Sequence, residues 1–422
     1  MLISESCRMI FNQPLSYFPD LFSLNQQEKT RILTSLNLIA SENIPSRAVF
    51  EATKSIFTAK YSEGYPRARY YGGCEVVDEV EEKAKTELLN LFPMDHANVQ
   101  PHSGAQANQA VFEAVLNPGD TILALSLDHG GHLTHGHKVN FSGKRYNTVF
   151  YGVSRETCLI DLDLVQELAR KHRPRLIIVG ASSYSRHFDF KAFNQIAKEA
   201  GAFLMADIAH YSGLIAAGVY PSPVGYCDFV TSTTHKTLRG PRSGVILCKS
   251  EFQSAIDKAV FPFLQGGPHM HTIFAKLVCF RIAKTAEFKS YAQQVVKNAQ
   301  ELAKSLTQLG LTVITGGTDS HMFLVDLSNI ELTGKEAQAR LEQAKIYVNK
   351  NAIPFDKHPP AVAGGIRIGT PLITSLGLTE THMKEVAELV FQALVKPNPS
   401  LRNKVEDFVR SAFLIPDWLR EL

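Results

Sequence analysis

Cysteine is scarce in this chain of 422 residues, and the six present, Cys7, Cys74, Cys158, Cys227, Cys248 and Cys279, are scattered with no CxxC pair. That spacing argues against a disulfide framework or a thiolate metal site, and reduced thiols are expected. Excess charge is scarce too. A formal net charge of +3 is small for this length and gives no reason to expect nucleic acid as a partner. No apolar run approaches the eighteen or so residues of a membrane span, so no membrane association is expected. The opening MLISESCRMIFNQ lacks the basic-then-apolar order of a secretory signal, which points to a cytoplasmic protein. There is no glycine-rich dinucleotide fingerprint, no P-loop, no internal repeat and no low-complexity segment. His129, His132 and His135 fall at intervals of three, but Gly130 and Gly131 break helical geometry and no HExxH completes a ligand set, so no metal is expected.

What is present is a chain able to bury a large core, 45% hydrophobic and long enough for two or more domains. A helical pattern at residues 26–38 suggests an N-terminal helical arm over residues 1–60. A central α/β domain is expected over residues 61–290 and a smaller α/β domain over residues 291–422. The latter would open with a helix at 291–309 and strands at 312–315 and 322–327, and end in a last helix closed by Pro416.

Within the central part, the apolar runs 176–179 (LIIV) and 202–206 (AFLMA) read as short buried strands separated by a helix-forming segment. Strand, helix, strand implies parallel strands in a covered sheet, and such sheets bind ligands beyond the carboxyl ends of their strands. Ser182 and Asp207 follow those two strands. Lys236 follows a third, inside TSTTHKTLRGPRSG at 231–244. A lysine at the end of a buried strand loses hydration, and cations such as Arg239 and Arg242 nearby also favour the neutral, nucleophilic amine. Lysine, carboxylate and hydroxyl at one sheet edge match the needs of pyridoxal phosphate: an amine for the aldehyde, an acid for the ring nitrogen and a hydrogen bond for the ring oxygen. Taken alone, the Lys236 run also fits a solvated basic loop, Asp207 a helix N-cap and His210 a core histidine. For the phosphate, Ser103, Gly104 and Ala105 precede a helical run at 106–115, where backbone amides attract an anion; a plain N-cap is the alternative there.

These segments, with LNLIASEN (36–43), KYSEGYPRARYYGGC (60–74), DHGGHLTHG (128–136), ADIAHYSGLIAAG (206–218), QGGP (265–268), VNKN (348–351) and GGIRIGTP (364–371), resemble the serine hydroxymethyltransferases. Those are aspartate-aminotransferase-like, fold-type I pyridoxal phosphate enzymes: a mostly parallel large domain and a smaller C-terminal α/β domain. The resemblance implies that Lys236 holds the cofactor as a Schiff base, Asp207 pairs with its ring nitrogen and His132 stacks on its ring. It implies that Ser103, Gly104 and Ala105 hold the phosphate, and that Ser182, His210 and His235 lie beside the ring. Tyr61, Gly266 and Gly267 would come from a neighbouring subunit, making a homodimer the minimum, with or without pairing into tetramers. Arg367 and Ser41 would clamp the amino acid carboxylate, a task suited to a planar guanidinium. Glu63 would handle the proton at the hydroxymethyl group, with Tyr71 in the same shared site. Tyr70, Gly131, Leu133 and Asn351 would meet tetrahydrofolate, the cosubstrate. Without the resemblance, Glu63 also fits a structural acid in a tyrosine-rich loop, and Arg367 a loop arginine.

The implied activity converts serine and tetrahydrofolate to glycine and 5,10-methylenetetrahydrofolate, reversibly. Four departures from the family pattern bear on substrate range and subunit contacts: Phe263 and Arg67 at positions usually glycine, Ala363-Gly364 for Thr-Ser, and Ile44-Pro45 for an aromatic-threonine pair. The nearer alternative is a folate-independent aldolase, or a hydroxymethyltransferase for another β-hydroxy or α-methyl amino acid. A catalytically silent binding protein on the same scaffold is the other, and it would have lost Lys236, Asp207 or Arg367.

Overall fold

The run Leu176–Val179 is buried along its whole length, and its side chains alternate between two cores: Ile177 and Val179 on one face, Leu176 and Ile178 on the other. A period-2 strand with both faces apolar belongs in the middle of a sheet covered by helices on each side. The computed structural model describes residues 13–421 and places that run inside a seven-stranded sheet, third from one edge. Its strands are β1 (His96–Asn98), β2 (Thr121–Leu125), β3 (Asn147–Tyr151), β4 (Leu176–Val179), β5 (Phe203–Asp207), β6 (Phe229–Thr233) and β7 (Gly244–Cys248). The order across the sheet is β1-β7-β6-β5-β4-β2-β3. Strands β2 to β6 run parallel, and β7 is antiparallel to both its neighbours. The chain reverses its progress across the sheet between β2 and β4, so the crevice beyond their carboxyl ends is the expected binding position.

Of the helices, α1 (Pro19–Leu33) has no buried residue and presents Leu21, Phe22 and Leu24 to the surface. Helices α2 (Glu75–Leu91), α4 (Leu162–His172) and α5 (Phe190–Ala200) contribute to one core face, and α3 (Gly104–Val115) to the other. Helix α6 (Met270–Ala283) joins the first of these cores, and the long α7 (Ala286–Gln308) runs from it to a separate core. That separate core surrounds a four-stranded antiparallel sheet of β8 (Thr312–Val313), β9 (Met322–Asp326), β10 (Asn349–Asn351) and β11 (Gly365–Gly369), in the order β8-β9-β11-β10.

Four expectations need correction. The arm helix is not at residues 26–38: it begins at Pro19, whose fixed φ suits a first helical position, and stops at Leu33. Leu36 and Asn37 instead pair in parallel with Ile346 and Tyr347, and Leu36 and Leu38 are fully buried in the second core. The helix expected from residue 291 starts five residues earlier, at Ala286, where the Thr285 side chain accepts from Phe288 N. The strand expected at 312–315 ends at Val313, because Thr315 has a left-handed φ of 63°. Pro416 does not close the last helix; a short further helix, Asp417–Glu421, follows it. Cys7 lies outside the described residues, and the other five cysteines are free thiols. Among the described residues no helix is long and apolar enough to cross a membrane.

Candidate active site

Beyond the carboxyl ends of β2, β4, β5 and β6 lies a cavity of about 520 Å³, within the range of small-molecule and cofactor sites. Each strand delivers residues to its wall: His132 and His135 after β2, Ser182 after β4, Asp207 and His210 at the end of β5, His235 and Lys236 after β6. Ser103, Gly104 and Ala105 at the start of α3 line it, as do Ser41 and Arg367. A larger cleft of about 790 Å³ lies elsewhere, but its charged pair, Arg186 and Asp319, is closed on itself at 2.8 Å.

Asp207 is held by two donors on one oxygen, His135 Nε2 at 2.9 Å and Asn108 Nδ2 at 2.8 Å. Its other oxygen accepts from Ala209 N at 3.1 Å. Burial alone would raise the carboxyl, but these hydrogen bonds and the adjacent imidazoles outweigh it and hold the acid well below the usual carboxylate range. An anion so fixed suits a protonated ring nitrogen. His132 sits close by with Nδ1 at 2.7 Å from Thr134 Oγ1, and burial, aided by His135, pulls its imidazole down to about 4. At neutral pH it offers an uncharged ring face. The potential ligand atoms of His132, His135 and Asp207 converge within 4.8 Å, whereas His129 turns away to accept from Val153 N and pack on Phe355.

The Lys236 amine is lowered to about 8 by burial, with Arg367 and Arg242 adding to the effect and Asp207 opposing it. Arg239, expected to help, does not point there: its Nε donates to Ile44 O at 2.7 Å and its guanidinium lies over the Tyr291 ring. Arg242 and Arg367, which line the cavity, take that part. A base with a lowered pKa is increasingly neutral as pH rises through that value. Covalent capture of pyridoxal phosphate by the cofactor-free protein should therefore accelerate with pH and show a midpoint of about 8. A stopped-flow pH profile with its midpoint at the ordinary lysine value of 10.5 would remove the burial argument.

At the phosphate end, Ser103 is the N-cap of α3, its Oγ accepting from Gln106 N at 3.2 Å. The N-cap reading and the anion-binding reading thus coexist, since the first helical amides lack partners within the helix. Gly104 is required by close approach: a Cβ there would stand 2.6 Å from Thr233 Cγ2. Beneath this turn the buried Lys276 donates to the carbonyls of Val99, Pro101 and Gly244 at 2.5, 3.3 and 2.8 Å, and burial pulls its amine down to about 7. His235 also lines the cavity, and burial, with Arg242 and Lys236 close by, pulls its imidazole down to about 3. These features fit pyridoxal phosphate: an amine, a fixed acid, a neutral ring face and an anion-binding helix start in one cavity.

Arg367 arrives from the other sheet, on β11. Its Nε donates to Asn349 Oδ1 at 3.0 Å and its Nη1 to Ser182 O at 2.5 Å, so both partners are neutral. Among the described residues no acid pairs with this buried guanidinium, which leaves it suited to a ligand carboxylate. His210 is fully buried and pairs with His321 at 3.3 Å; burial drives both imidazoles down, His321 to about 3, so the pair is neutral. Gly131, Leu133 and Asn351 do not line this cavity. Asn351 and the turn that carries Gly131 meet at the loop after β4: Gly130 O accepts from Ser182 N and Ser183 N, and Asn351 Nδ2 donates to Ser183 Oγ at 3.3 Å. Leu133 is 43% exposed.

A second group of expected residues is brought together apart from the cavity. Tyr61 and Tyr71 rings lie 5.0 Å apart, a Cβ on Gly267 would meet the Tyr61 ring at 3.3 Å, and one on Gly266 would stand 3.0 Å from Glu63 Oε1. Partial desolvation and the Glu63 carboxylate raise the Tyr71 phenol. Tyr70 packs edge-on against Phe261 and is 75% exposed. None of these residues lines the Lys236 cavity of the same chain. Of the departures, Phe263 is 61% exposed, and Arg67 adopts a left-handed φ of 66° while its N–H donates to Asp78 Oδ2 at 2.8 Å. Asn108, His135, Lys276 and His321 carry no signal in the sequence that assigns them to this site. Their positions depend on pairings across the fold that no local pattern encodes.

Residues 16–390 match the family model described as serine hydroxymethyltransferase. The chain is 55% identical over 392 residues to a Coprothermobacter proteolyticus protein named serine hydroxymethyltransferase, covering 93% of this chain and 94% of that one. It is 55% identical over 387 residues to serine hydroxymethyltransferase 1 of Pseudomonas fluorescens, covering 92% and 94%. With its cavity built as described and the match running through almost all of its length, the chain belongs to the serine hydroxymethyltransferase family.

Proposed function

We propose that this protein catalyses the reversible transfer of the hydroxymethyl carbon of serine to tetrahydrofolate, giving glycine, 5,10-methylenetetrahydrofolate and water. The observation that carries it is the convergence of Lys236, Asp207 and Arg367, from three strands of two sheets, on one cavity. Pyridoxal phosphate, when bound, supplies an aldehyde for an amine and a ring that withdraws electrons from the substrate α-carbon. Lys236 holds it and Asp207 keeps its ring nitrogen protonated. His132 covers the ring face, with Ser182, His210 and His235 around it. Ser103, Gly104 and Ala105 bind its phosphate. Arg367 and Ser41 orient the amino acid carboxylate, so that the bond to be broken is fixed relative to the ring. Gly131, Leu133, Asn351 and Tyr70 receive the reduced folate. Turnover of serine measured with and without tetrahydrofolate tests the reading: equal rates would favour a folate-independent aldolase.

The separation of Tyr61, Glu63, Tyr71, Gly266 and Gly267 from the cavity supports a homodimer in which each chain completes its neighbour's site. The surface supports it too, since Tyr17, Phe18, Phe22, Ile56, Tyr70 and Phe263 leave large apolar area exposed around α1 and this group. Glu63→Gln should lower serine turnover by about 10²-fold, the scale of a lost acid/base group, with the cofactor still bound. Mixing Lys236→Ala chains with Glu63→Gln chains should restore about a quarter of wild-type activity, because half the dimers are hybrids with one intact site. No recovery after verified subunit exchange would place Glu63 and Lys236 in the same chain's site. We also propose a cytoplasmic location, and a division near residues 60 and 290 into arm, large domain and small domain.

A further inference from the structure

Glu63 stands on a loop whose backbone is gripped by one guanidinium. Arg69 Nη1 donates to the carbonyls of Ser62 at 2.9 Å and Gly64 at 2.7 Å, the residues on either side of Glu63. Its Nε reaches Asp78 Oδ1 at 2.8 Å and its Nη2 reaches Glu81 Oε2 at 2.6 Å, both acids standing on α2. The Arg69 side chain is 3% exposed and that of Glu81 1%, so water does not compete for these bonds. From the other side, Gln100 Nε2 donates to Gly64 O and to Glu81 Oε1, both at 2.9 Å. Gln100 O in turn accepts from Gln265 Nε2 at 3.0 Å, and Gln265 Oε1 accepts from His102 N at 3.1 Å. A chain of mostly buried hydrogen bonds thus runs from the turn before Ser103 to the peptides flanking Glu63. The loop is tightened further by Tyr70 N donating to Glu63 O at 3.0 Å, and by Gly64 at a φ of 96°, where a Cβ would stand 2.3 Å from Ala68 O.

An ion pair serving stability alone needs the two carboxylates; the two carbonyl contacts are what fix Glu63. We infer that Arg69 is a positioning residue for Glu63. It sets the direction in which the carboxylate is presented to the neighbouring chain's cavity while touching neither substrate nor cofactor. A lysine cannot reproduce this, because one ammonium cannot span two carbonyls and two carboxylates in a plane. The inference rests on the acid/base role proposed for Glu63.

The test is made on the cofactor-loaded dimer with Arg69→Lys, Glu63→Gln and the double variant. Arg69→Lys should lower kcat for serine with tetrahydrofolate by about 10- to 100-fold, the effect of misplacing a reacting group by about 1 Å, with glycine affinity and visible absorbance unchanged. The double variant should be no slower than Glu63→Gln alone, since nothing is left to position. Additive losses, or a wild-type kcat in Arg69→Lys, would overturn the inference. If Glu63→Gln itself turns over normally, the role of Glu63 has failed, and amide exchange decides the clamp separately. Residues 61–71 should exchange faster in Arg69→Lys, and unchanged protection would overturn the inference on its own. Should Arg69→Lys not fold, the Arg69→Met/Glu81→Met pair replaces the buried ions with apolar groups of similar volume and carries the same comparison.

Discussion

Replacing Lys236 by alanine should leave a protein that folds and binds pyridoxal phosphate weakly and reversibly, with no label at position 236 after borohydride reduction. The expectation comes from the cavity itself. The Lys236 amine, the nucleophile we propose, is lowered to about 8 by burial and by Arg367 and Arg242, and no other lysine lines the wall. Asp207, His132 and the start of α3 remain, so phosphate and ring should still be recognised. Turnover should fall by at least about 10⁴-fold, given that removing a covalent nucleophile elsewhere costs roughly 10⁶. Peptide mapping after reduction checks the chemistry independently of rate. Borohydride labelling of a different lysine in the wild-type protein, or unchanged capture by the variant, would displace Lys236 from its role.

Arg367→Lys should weaken amino acid binding by about 10²- to 10⁴-fold. Two charge-assisted hydrogen bonds of about 1.5–3 kcal/mol each are at stake, and an ammonium cannot make them as a planar pair. The charge is kept, so the loss reports geometry. Arg367 also donates to Ser182 O at 2.5 Å, which ties the second sheet to the loop after β4. Some loss of kcat should therefore accompany the rise in KM. Pyridoxal phosphate capture should be nearly unaffected, because Arg367 reaches the cavity from the side of the second sheet. The two are separated by titrating the cofactor-loaded variant with glycine and following its spectrum, then measuring cofactor release. Normal glycine affinity would mean that another cation, such as Arg242 on the same wall, takes the carboxylate.

Sequence and structure agree best where local pattern and long-range position coincide. The buried runs ending at Val179 and Asp207 are strands because four or five consecutive apolar residues with helices between them have few other uses. Lys236 could be picked out because its segment is chemically dense. The partners of these residues could not. Asn108 and His135, which hold Asp207, lie 99 and 72 positions from it, and His321, paired with His210, lies 111 away. Arg239 shows the converse: proximity to Lys236 in the chain suggested a shared electrostatic task, but a side chain's direction after a strand is set by what it packs on, here Tyr291. The segment at 36–38 read as helix because a two-residue strand has no period of its own to detect.

That short strand has a consequence for how the chain is made. Leu36 pairs with Ile346, so a ribosome must add 310 further residues before the partner exists. At roughly 5–20 residues per second the wait is on the order of fifteen to sixty seconds. Throughout that interval Leu36 and Leu38, both fully buried in the finished molecule, stay without their native cover. The segment leading to Ser41 is therefore synthesised long before it can take its final place.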